Sequence, residues 1–364
     1  MTAKPLTVLG LETSCDETAA AVVRVCPGAP VEVLSSIVLS QVDEHAPYGG
    51  VVPEIAARAH VETIDVIARR ALDGAGVALA DLDGVAATAG PGLVGGVMVG
   101  LSFGKALALA LGRPLIAVNH LEGHALSVRL TTDAPYPYLL LLVSGGHCQL
   151  LEVAGVGACR RLGSTIDDAA GEAFDKIGGA LGLGYPAGPA LERLAQGGDE
   201  TRFSLPRALL GREGCDFSFS GLKTAAARLA AGLTTPSDRA DLAAAVQAAI
   251  ARQLAERTAR AMKSYARAHH GRSLLLVVAG GVAANARVRA DLHALAIAEG
   301  FSFAAPPLAY CTDNAAMIAL AGAERLALGL VDDLSAPARP RWPLDEAAAS
   351  LNPTHVPGRK GAKA

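Results

Sequence analysis

The sequence is poor in aromatic and charged side chains. Only 4% of its 364 residues are Phe, Trp or Tyr and 18% are charged, whereas 51% are hydrophobic. A core made mainly of Ala, Leu and Val suits closely packed helices and sheets better than a surface that recognises ligands through aromatic rings. The chain is longer than the roughly 250–300 residues at which single cores stop growing, so we expect two lobes.

An excess of positive charge and a cysteine framework are also missing. The formal net charge is -3 and the pI is about 6.3, which argues against binding of nucleic acid by bulk electrostatics. The cysteines at positions 15, 26, 148, 159, 215 and 311 form no CxxC pair, so neither a disulfide scaffold nor a thiolate zinc site is indicated. The start of the sequence lacks the apolar stretch and cleavage site of a signal peptide, and we expect a cytoplasmic protein.

One uncharged run, residues 84–104, reaches the nominal length of a membrane span. It contains seven glycines and one proline, which weaken a continuous helix. We therefore interpret it as a strand, a loop and a buried helix, and we expect no membrane association.

Two supersecondary patterns each occur twice. An apolar strand, a polar turn and a second apolar strand occupy residues 6–25 and again residues 138–156. A buried strand, a glycine-rich turn and a helix occupy residues 84–110 and again residues 273–296. This order predicts an α/β protein with the duplicated fold of actin, the sugar kinases and the Hsp70-type ATPases, which has two lobes and a cleft between them. Small residues at such turns leave backbone N–H groups open to phosphate oxygens.

The repeats also predict the lobe boundaries. We expect an N-terminal actin-like lobe over residues 5–130 and a C-terminal actin-like lobe over residues 131–313. The helix and tail over about residues 314–345 are expected to pack back on the first lobe. Five prolines after Gly329 and the closing Lys and Arg residues predict an extended tail with a mobile end, residues 346–364.

The segment NHLEGH carries a candidate metal site. His120 and His124 are four positions apart, so on a helix they would share one face, although such a pair is also common among ordinary core or surface histidines. Asp313 in YCTDNAA is the candidate third ligand, with an ordinary N-cap as the alternative. Two imidazoles and one carboxylate would leave open positions for water or substrate oxygens, which suits iron or zinc.

The same segment disfavours a metalloprotease. Enzymes with the HExxH motif place their general base directly after the first histidine, where it points at the metal-bound water. Glu122 lies midway between the two histidines and would point away from a metal that they share.

Eight segments resemble, in order, the motifs of one family. They are GLETSCDET at 10–18, HAPYGGVVPEIAARAH at 45–60, NHLEGH at 119–124, LVSGGH at 142–147, GEAFDK at 171–176, FSFSGLKTA at 217–225, GGVAAN at 280–285 and CTDNAAMIA at 311–319. With these matches the chain resembles the TsaD (Gcp) family of tRNA N6-adenosine threonylcarbamoyltransferases. The resemblance implies transfer of the threonylcarbamoyl group from threonylcarbamoyl-AMP to N6 of adenosine 37, in tRNAs reading codons that begin with A, with release of AMP.

The resemblance also implies a site. His120, His124 and Asp313 would bind one divalent metal per subunit, usually iron, with zinc as the alternative. The positions that match adenylate-binding residues of the family are Leu142, Val143, Ser144, Gly145, Gly146, Asp175, Gly188 and Asn285. Taken alone, these would be turn glycines, a surface aspartate and a helix-capping asparagine.

Two acidic residues of the first hairpin are catalytic candidates. Asp16 or Glu17 could accept the proton of the adenine amine or hold the threonyl moiety, and a solvated turn is the alternative. Elsewhere the sequence departs from the family pattern at Ala187, where a second glycine is frequent, and at Cys148, where threonine is usual.

The resemblance implies partners besides tRNA and threonylcarbamoyl-AMP. These are the paralogue TsaB as a heterodimer partner, the ATPase TsaE and the enzyme TsaC, which supplies the adenylate. Helices near residues 53–72 and 96–111 would contact TsaB, unless their apolar faces pack inside the first lobe. The competing function is a non-catalytic nucleotide-binding scaffold of the same fold, in which the histidines only pack. A sugar or carboxylate kinase of this fold is a third possibility.

Overall fold

The structure is a computed structural model that describes residues 4–351. Within that range the strands are β1 (Leu6–Glu12), β2 (Glu17–Val25), β3 (Glu32–Ser40), β4 (Gly84–Gly90), β5 (Leu115–Asn119), β6 (Tyr138–Val143), β7 (Cys148–Gly155), β8 (Ala158–Ser164), β9 (Leu275–Ala279) and β10 (Ser302–Ala304). The α-helices are α1 (Val42–His45), α2 (Pro53–Ala75), α3 (Val94–Leu111), α4 (His120–Leu126), α5 (Ala170–Ala180), α6 (Gly188–Ala195), α7 (Ser220–Ala230), α8 (Pro236–Ala268), α9 (Ala286–Ala298), α10 (Ala315–Ala327) and α11 (Glu346–Leu351).

The two sheets share one strand order. It is β3-β2-β1-β4-β5 in the first sheet and β8-β7-β6-β9-β10 in the second. Each central strand, β1 or β6, pairs antiparallel with the next strand of the chain and parallel with a later one. The predicted repeats of a hairpin and of a strand, turn and helix are confirmed, and with them the duplicated α/β fold.

The first sheet is covered on both faces, since every residue of β4 is buried. Leu9 and Leu11 of β1 pack with α2 and α3 in one hydrophobic cluster. Gly10 points to the opposite face, where a Cβ atom would lie 2.4 Å from the backbone oxygen of Ala315. The missing side chain lets α10 pack closely on the sheet, which fixes the start of α10 and the residues just before it.

Residues 84–104 form β4, a short loop and part of α3, so the predicted strand, loop and helix are confirmed. By length and composition α3 is the one helix of residues 4–351 that could cross a membrane. A core helix of a soluble protein meets the same criteria. The helix packs against α2 and β4 and leaves Val94, Met98 and Leu109 exposed.

The described residues form two compact units. Unit 1 comprises those within Met1–Pro135, Gly155–Ala158 and Pro306–Leu344, and unit 2 comprises those within Tyr136–Ala154, Cys159–Ala305 and Asp345–Ala364. The boundaries that correspond to those predicted at 130/131 and 313/314 lie at 135/136 and 305/306, and the short segment Gly155–Ala158 also belongs to unit 1. The loop before α10 belongs with that helix, and Asp313 consequently lies in unit 1.

The predicted mobile tail is described only in part. Residues 346–351 form α11, and Arg161 donates from Nη2 to the backbone oxygen of Ala348 at 2.9 Å. The remainder of that prediction, residues 352–364, lies outside the described residues.

Candidate functional site

The two histidines lie at the start and middle of α4, directly after β5. Asn119 ends the strand and caps the helix, because its side-chain oxygen accepts from the backbone N–H of Leu121 at 2.9 Å. All seven residues of α4 are buried. The ring centroids of His120 and His124 lie 4.7 Å apart, as expected for positions i and i+4 on one face.

Asp313 faces these imidazoles because its neighbour takes the capping role. Asn314 accepts from the backbone N–H of Met317 at 3.0 Å and is the N-cap of α10, so the interpretation of Asp313 as that cap is wrong. Oδ1 of Asp313 lies 3.0 Å from Nε2 of His124 and 3.5 Å from Nε2 of His120. The structure thus brings the three candidate ligands together in unit 1, with their ligand atoms within 4.8 Å of one another.

This set of donor atoms fits a divalent transition metal. Two imidazole nitrogens and one carboxylate oxygen suit iron or zinc and do not complete a coordination sphere. The side chains of His120 and His124 are 7% and 0% exposed, whereas that of Asp313 is 22% exposed. The cluster is therefore open to solvent on the side of the carboxylate.

Glu12, at the end of β1, holds the opposite edge of His120. Its Oε2 lies 2.9 Å from Nδ1 of His120 and accepts from the Thr88 hydroxyl at 2.6 Å, while Oε1 accepts from the backbone N–H of Ser14 at 2.6 Å. The imidazole Nδ1–H therefore donates to Glu12, and Nε2 faces Asp313. Burial disfavours the imidazolium, but the carboxylates of Asp313 and Glu12 outweigh burial and raise the pKa of His120 to about 9.

This role of Glu12 was not predicted from the sequence. The available signal was a carboxylate at the end of an otherwise apolar strand, where polar groups of α/β sheets tend to reach the site. What the pattern could not show is that the strand end lies beside α4.

Asp16 lies in the turn before β2, and Glu17 is the first residue of that strand. Asp16 is buried and Glu17 is half-buried, so this turn is not fully solvated. Asp16 is 8% exposed, and the backbone oxygen of Cys15 lies 3.1 Å from Nε2 of His60 in α2. Burial raises the pKa of Glu17 well above its usual range, and the charges of Asp313 and Asp16 raise it further. Two carboxyl groups are therefore held beside each other and within the electrostatic influence of the candidate metal site.

Glu122 points away from the candidate metal site. Its Oε1 accepts from the backbone N–H of Gly157 at 2.7 Å, and its Oε2 accepts from Nη1 of Arg325 at 3.1 Å. A carboxylate held in these bonds is not available to activate a water at His120 and His124. The structure supports the argument against a metalloprotease.

In unit 2, Ser144, Gly145 and Gly146 form the turn between β6 and β7. The backbone N–H of Ser144 donates to the backbone oxygen of His147 at 2.8 Å. The backbone N–H of Gly171 donates to the backbone oxygen of Ser144 at 3.2 Å. A Cβ atom on Gly145 or Gly146 would meet nothing within 4 Å, so their backbone is open. The N-terminus of α5 therefore abuts an open turn, which is a favourable arrangement for phosphate.

At other predicted adenylate positions the side chains already contact the protein. Leu142 and Val143 are fully buried in β6, so only their backbone could contact a ligand. Asp175 in α5 accepts through Oδ1 from the backbone N–H groups of Ala187 at 2.8 Å and Gly188 at 3.2 Å. The carboxylate thereby fixes the start of α6 beside α5.

Asn285 is the N-cap of α9, as its alternative interpretation predicted. Its Oδ1 accepts from the backbone N–H of Val288 at 3.0 Å, and its Nδ2 donates to Gln247 at 2.9 Å. A ligand contact at Asn285 stays a prediction.

The two departures from the family pattern are both buried. A Cβ atom on Gly178 would lie 2.4 Å from that of Ala187, so the side chain of Ala187 fills the space left by this glycine of α5. Cys148 begins β7, and burial raises the pKa of its thiol well above the usual range. Neither residue is a reactive group at the predicted site.

Comparisons with known proteins agree on one family. A family model described as "TsaD: tRNA N6-adenosine threonylcarbamoyltransferase" matches residues 32–320. A Caulobacter vibrioides protein named tRNA N6-adenosine threonylcarbamoyltransferase is 74% identical over 359 residues, which is 99% of this chain and 98% of that protein. A Maricaulis maris protein of the same name is 62% identical over 366 residues, 100% of this chain and 97% of that protein.

Two solved structures of HypF share the fold. The HypF of T. kodakarensis has a TM-score of 0.58 at 16% identity, over 90% of this chain and 48% of that chain. Full-length HypF in its phosphate- and nucleotide-bound form has a TM-score of 0.54 at 12% identity, over 89% of this chain and 46% of that chain. At these identities the likeness supports the actin-like ATPase fold and no shared activity.

Proposed function

The chain belongs to the TsaD family of tRNA N6-adenosine threonylcarbamoyltransferases, and on that premise we propose that it transfers a threonylcarbamoyl group from threonylcarbamoyl-AMP to N6 of adenosine 37. Its substrates are tRNAs reading codons that begin with A, and AMP is released. The convergence of His120, His124 and Asp313 carries this proposal, because a scaffold that only bound nucleotide would not require it.

We propose that these three residues bind one divalent metal per subunit, iron or else zinc. When bound, the metal supplies positive charge that polarises the carbamoyl oxygen. The chain's contribution is to orient the ligands, and Glu12 does so at His120 by accepting from Nδ1. The adenylate is proposed to bind residues 142–146, Asp175, Gly188 and Asn285, with the open turn and the start of α5 receiving the phosphate.

The bond changes are those of an acyl transfer. The N6–C bond forms, the bond between the carbamoyl carbon and the phosphate oxygen breaks, and AMP leaves with that electron pair. The N6 proton passes to a carboxylate, for which we propose Glu17. A glutamate whose pKa is raised by burial is a stronger base, once ionised, than an exposed one. Asp16, its immediate neighbour, is proposed to hold the threonyl hydroxyl.

Partners and location follow from the same premise. We propose TsaB as a heterodimer partner, TsaE as an ATPase partner and TsaC as the source of the adenylate. Exposed apolar residues on α2 and α3, among them Val61, Val66 and Met98, support an interface there. All six cysteines are free within the described residues, which supports a reducing compartment, the cytoplasm.

Reconstitution tests this function. Incubation of unmodified tRNA with threonine, bicarbonate, ATP, this protein, TsaB, TsaE and TsaC is expected to yield threonylcarbamoyladenosine, measured by mass analysis of the nucleosides. Omission of this protein or of TsaB should remove the product. ATP binding without any modified nucleoside in the complete mixture would favour the scaffold, and phosphorylation of a small substrate would favour the kinase.

A second test concerns Glu12. Glu12→Gln keeps a hydrogen-bond acceptor but removes the charge beside His120, so we expect metal affinity to fall about ten- to a hundred-fold. Competition with a metal chelator measures this without reference to activity. Glu54→Gln, at an exposed position of α2, is the matched control and should leave affinity unchanged. Equal affinities in wild type and Glu12→Gln would contradict the role given to Glu12.

A further inference from the structure

The segment after α10 runs back over the sheet of unit 1 as a strap, residues 336–344. Three hydrogen bonds fix its backbone. The backbone N–H of Arg339 donates to the backbone oxygen of Ala89 at 2.7 Å, and the backbone oxygen of Pro340 accepts from the backbone N–H of Gly92 at 3.2 Å. The backbone oxygen of Trp342 accepts from Nδ2 of Asn119 at 2.9 Å. These contacts lie where β4 and β5 end. The strap therefore crosses the end of the sheet at which α4 begins with His120.

The strap approaches β4 very closely. Gly90 has φ +134°, and a Cβ atom there would lie 1.8 Å from the backbone oxygen of Arg339. Only glycine accommodates both the conformation and the contact. The ring of Trp342 packs against the hydrophobic cluster of β1, α2 and α3, so the strap has an apolar anchor as well.

The strap carries two exposed arginines. The Arg339 guanidinium lies 4.6 Å from the ring centroid of Trp342, which orients it at little further entropic cost. Arg341 is exposed and takes part in no hydrogen bond or ion pair among residues 4–351. The strap thus brings two exposed guanidinium groups, one of them oriented by Trp342, to the sheet end that also carries the metal-site residues.

Acidic side chains are concentrated around that sheet end. Glu12, Asp16, Glu17 and Asp313 place carboxyl groups at or beside the candidate metal site, in a chain of net charge -3. A polyanionic substrate approaching these groups is repelled unless nearby cations offset them. Arginine can bind a phosphate through two parallel N–H···O hydrogen bonds, which suits it to contact with a polyanionic substrate.

We propose that Arg339 and Arg341 of the strap contact the phosphate backbone of the tRNA anticodon arm beside the target adenosine. This rests on the proposed function, since it names how the same site receives its polyanionic substrate. Trp342 serves as the platform that orients Arg339 and anchors the strap. Through Asn119, the strap also holds the cap of the helix that carries both histidines.

Steady-state kinetics of the metal-loaded full-length protein with its helper proteins test this inference. Loss of one phosphate contact in Arg341→Ala is expected to raise the KM for tRNA about five-fold near ~0.15 M salt and to lower the salt dependence of tRNA binding by roughly one unit of log–log slope. Arg341→Glu should raise that KM roughly ten-fold. The KM for threonylcarbamoyl-AMP, the kcat and the metal content should stay unchanged.

Arg267→Glu is the matched control, because Arg267 is exposed on α8 and the substitution changes net charge equally. An equal rise in KM for Arg267→Glu and Arg341→Glu would show that bulk charge governs binding and would overturn the inference. So would an unchanged KM in Arg341→Glu, or a rise that is accompanied by loss of metal. If wild type formed no modified nucleoside at all, the proposed function itself would fail, which is a distinct result.

Discussion

Replacing His124 by alanine is expected to abolish stoichiometric metal binding and to lower kcat for threonylcarbamoyl transfer by about 10²–10³-fold or more. His124 is one of three residues whose ligand atoms converge, and its side chain is fully buried. With His124 removed, one imidazole and one carboxylate remain, and the lost charge stabilisation of the carbamoyl oxygen appears in kcat. Elemental analysis of the purified protein and product quantification with saturating adenylate measure the two effects.

The control for this prediction is His293→Ala, because His293 is exposed on α9, where its ring lies 5.1 Å from that of Phe303. It should retain both metal and activity. Asp313→Ala is expected to behave as His124→Ala does, since Oδ1 of Asp313 faces both imidazoles. A His124→Ala protein that kept one equivalent of metal and normal turnover would eliminate the proposed metal site.

The spacing of His120 and His124 made them candidate ligands and the family resemblance implied a metal, but the local sequence could not decide the role of Asp313. An aspartate and an asparagine stand together before α10, and either type can cap a helix. The structure shows that Asn314 caps, which leaves the carboxylate of Asp313 to face the histidines. The position of α10 is in turn fixed by its close packing on Gly10 of β1, a tertiary contact that no local pattern contains.

The duplicated fold was predictable because its signal is local. Each hairpin and each strand, turn and helix shows its own hydrophobic period, and the period repeats. The path of residues 336–344 was not predictable in the same way. Prolines indicate an extended segment but not the surface it follows, and here the path depends on Gly90 leaving room for the strap.

At two of the predicted adenylate positions the side chain has a structural role that the motif does not contain. Asp175 and Asn285 use side-chain atoms to hold the backbone of α6 and α9, which a motif match does not reveal. Substituting either residue would alter both local structure and any ligand contact. Gly145 and Gly146 are simpler to interpret, because nothing in the described chain occupies the space beside them.

Glu17→Gln is expected to lower kcat for the transfer by roughly 10²–10⁴-fold, because the variant cannot accept the N6 proton. The KM for tRNA and the metal content should remain near their wild-type values. In wild type, activity needs the ionised carboxylate, so kcat should fall as the pH decreases through the pKa of Glu17. This fall, the acidic limb of the pH–kcat profile, should occur at a pH above the usual pKa range of a glutamate. Burial is the largest cause of the raised pKa, and it does not depend on a bound cation.

Two companion variants separate the role of Glu17 from those of its neighbours. Glu44→Gln, at an exposed position of α1, should leave kcat and its pH dependence unchanged. Asp16→Asn should act mainly on the KM for threonylcarbamoyl-AMP, because Asp16 is proposed to hold the threonyl hydroxyl and not to accept the proton.

A Glu17→Gln protein with wild-type kcat and an intact acidic limb would exclude Glu17 as the base. If Asp16→Asn instead lowered kcat and removed the acidic limb of the pH–kcat profile, Asp16 would be the base. The split between KM and kcat thus assigns the two adjacent carboxyl groups independently of the metal site, whose ligands are all retained in both variants.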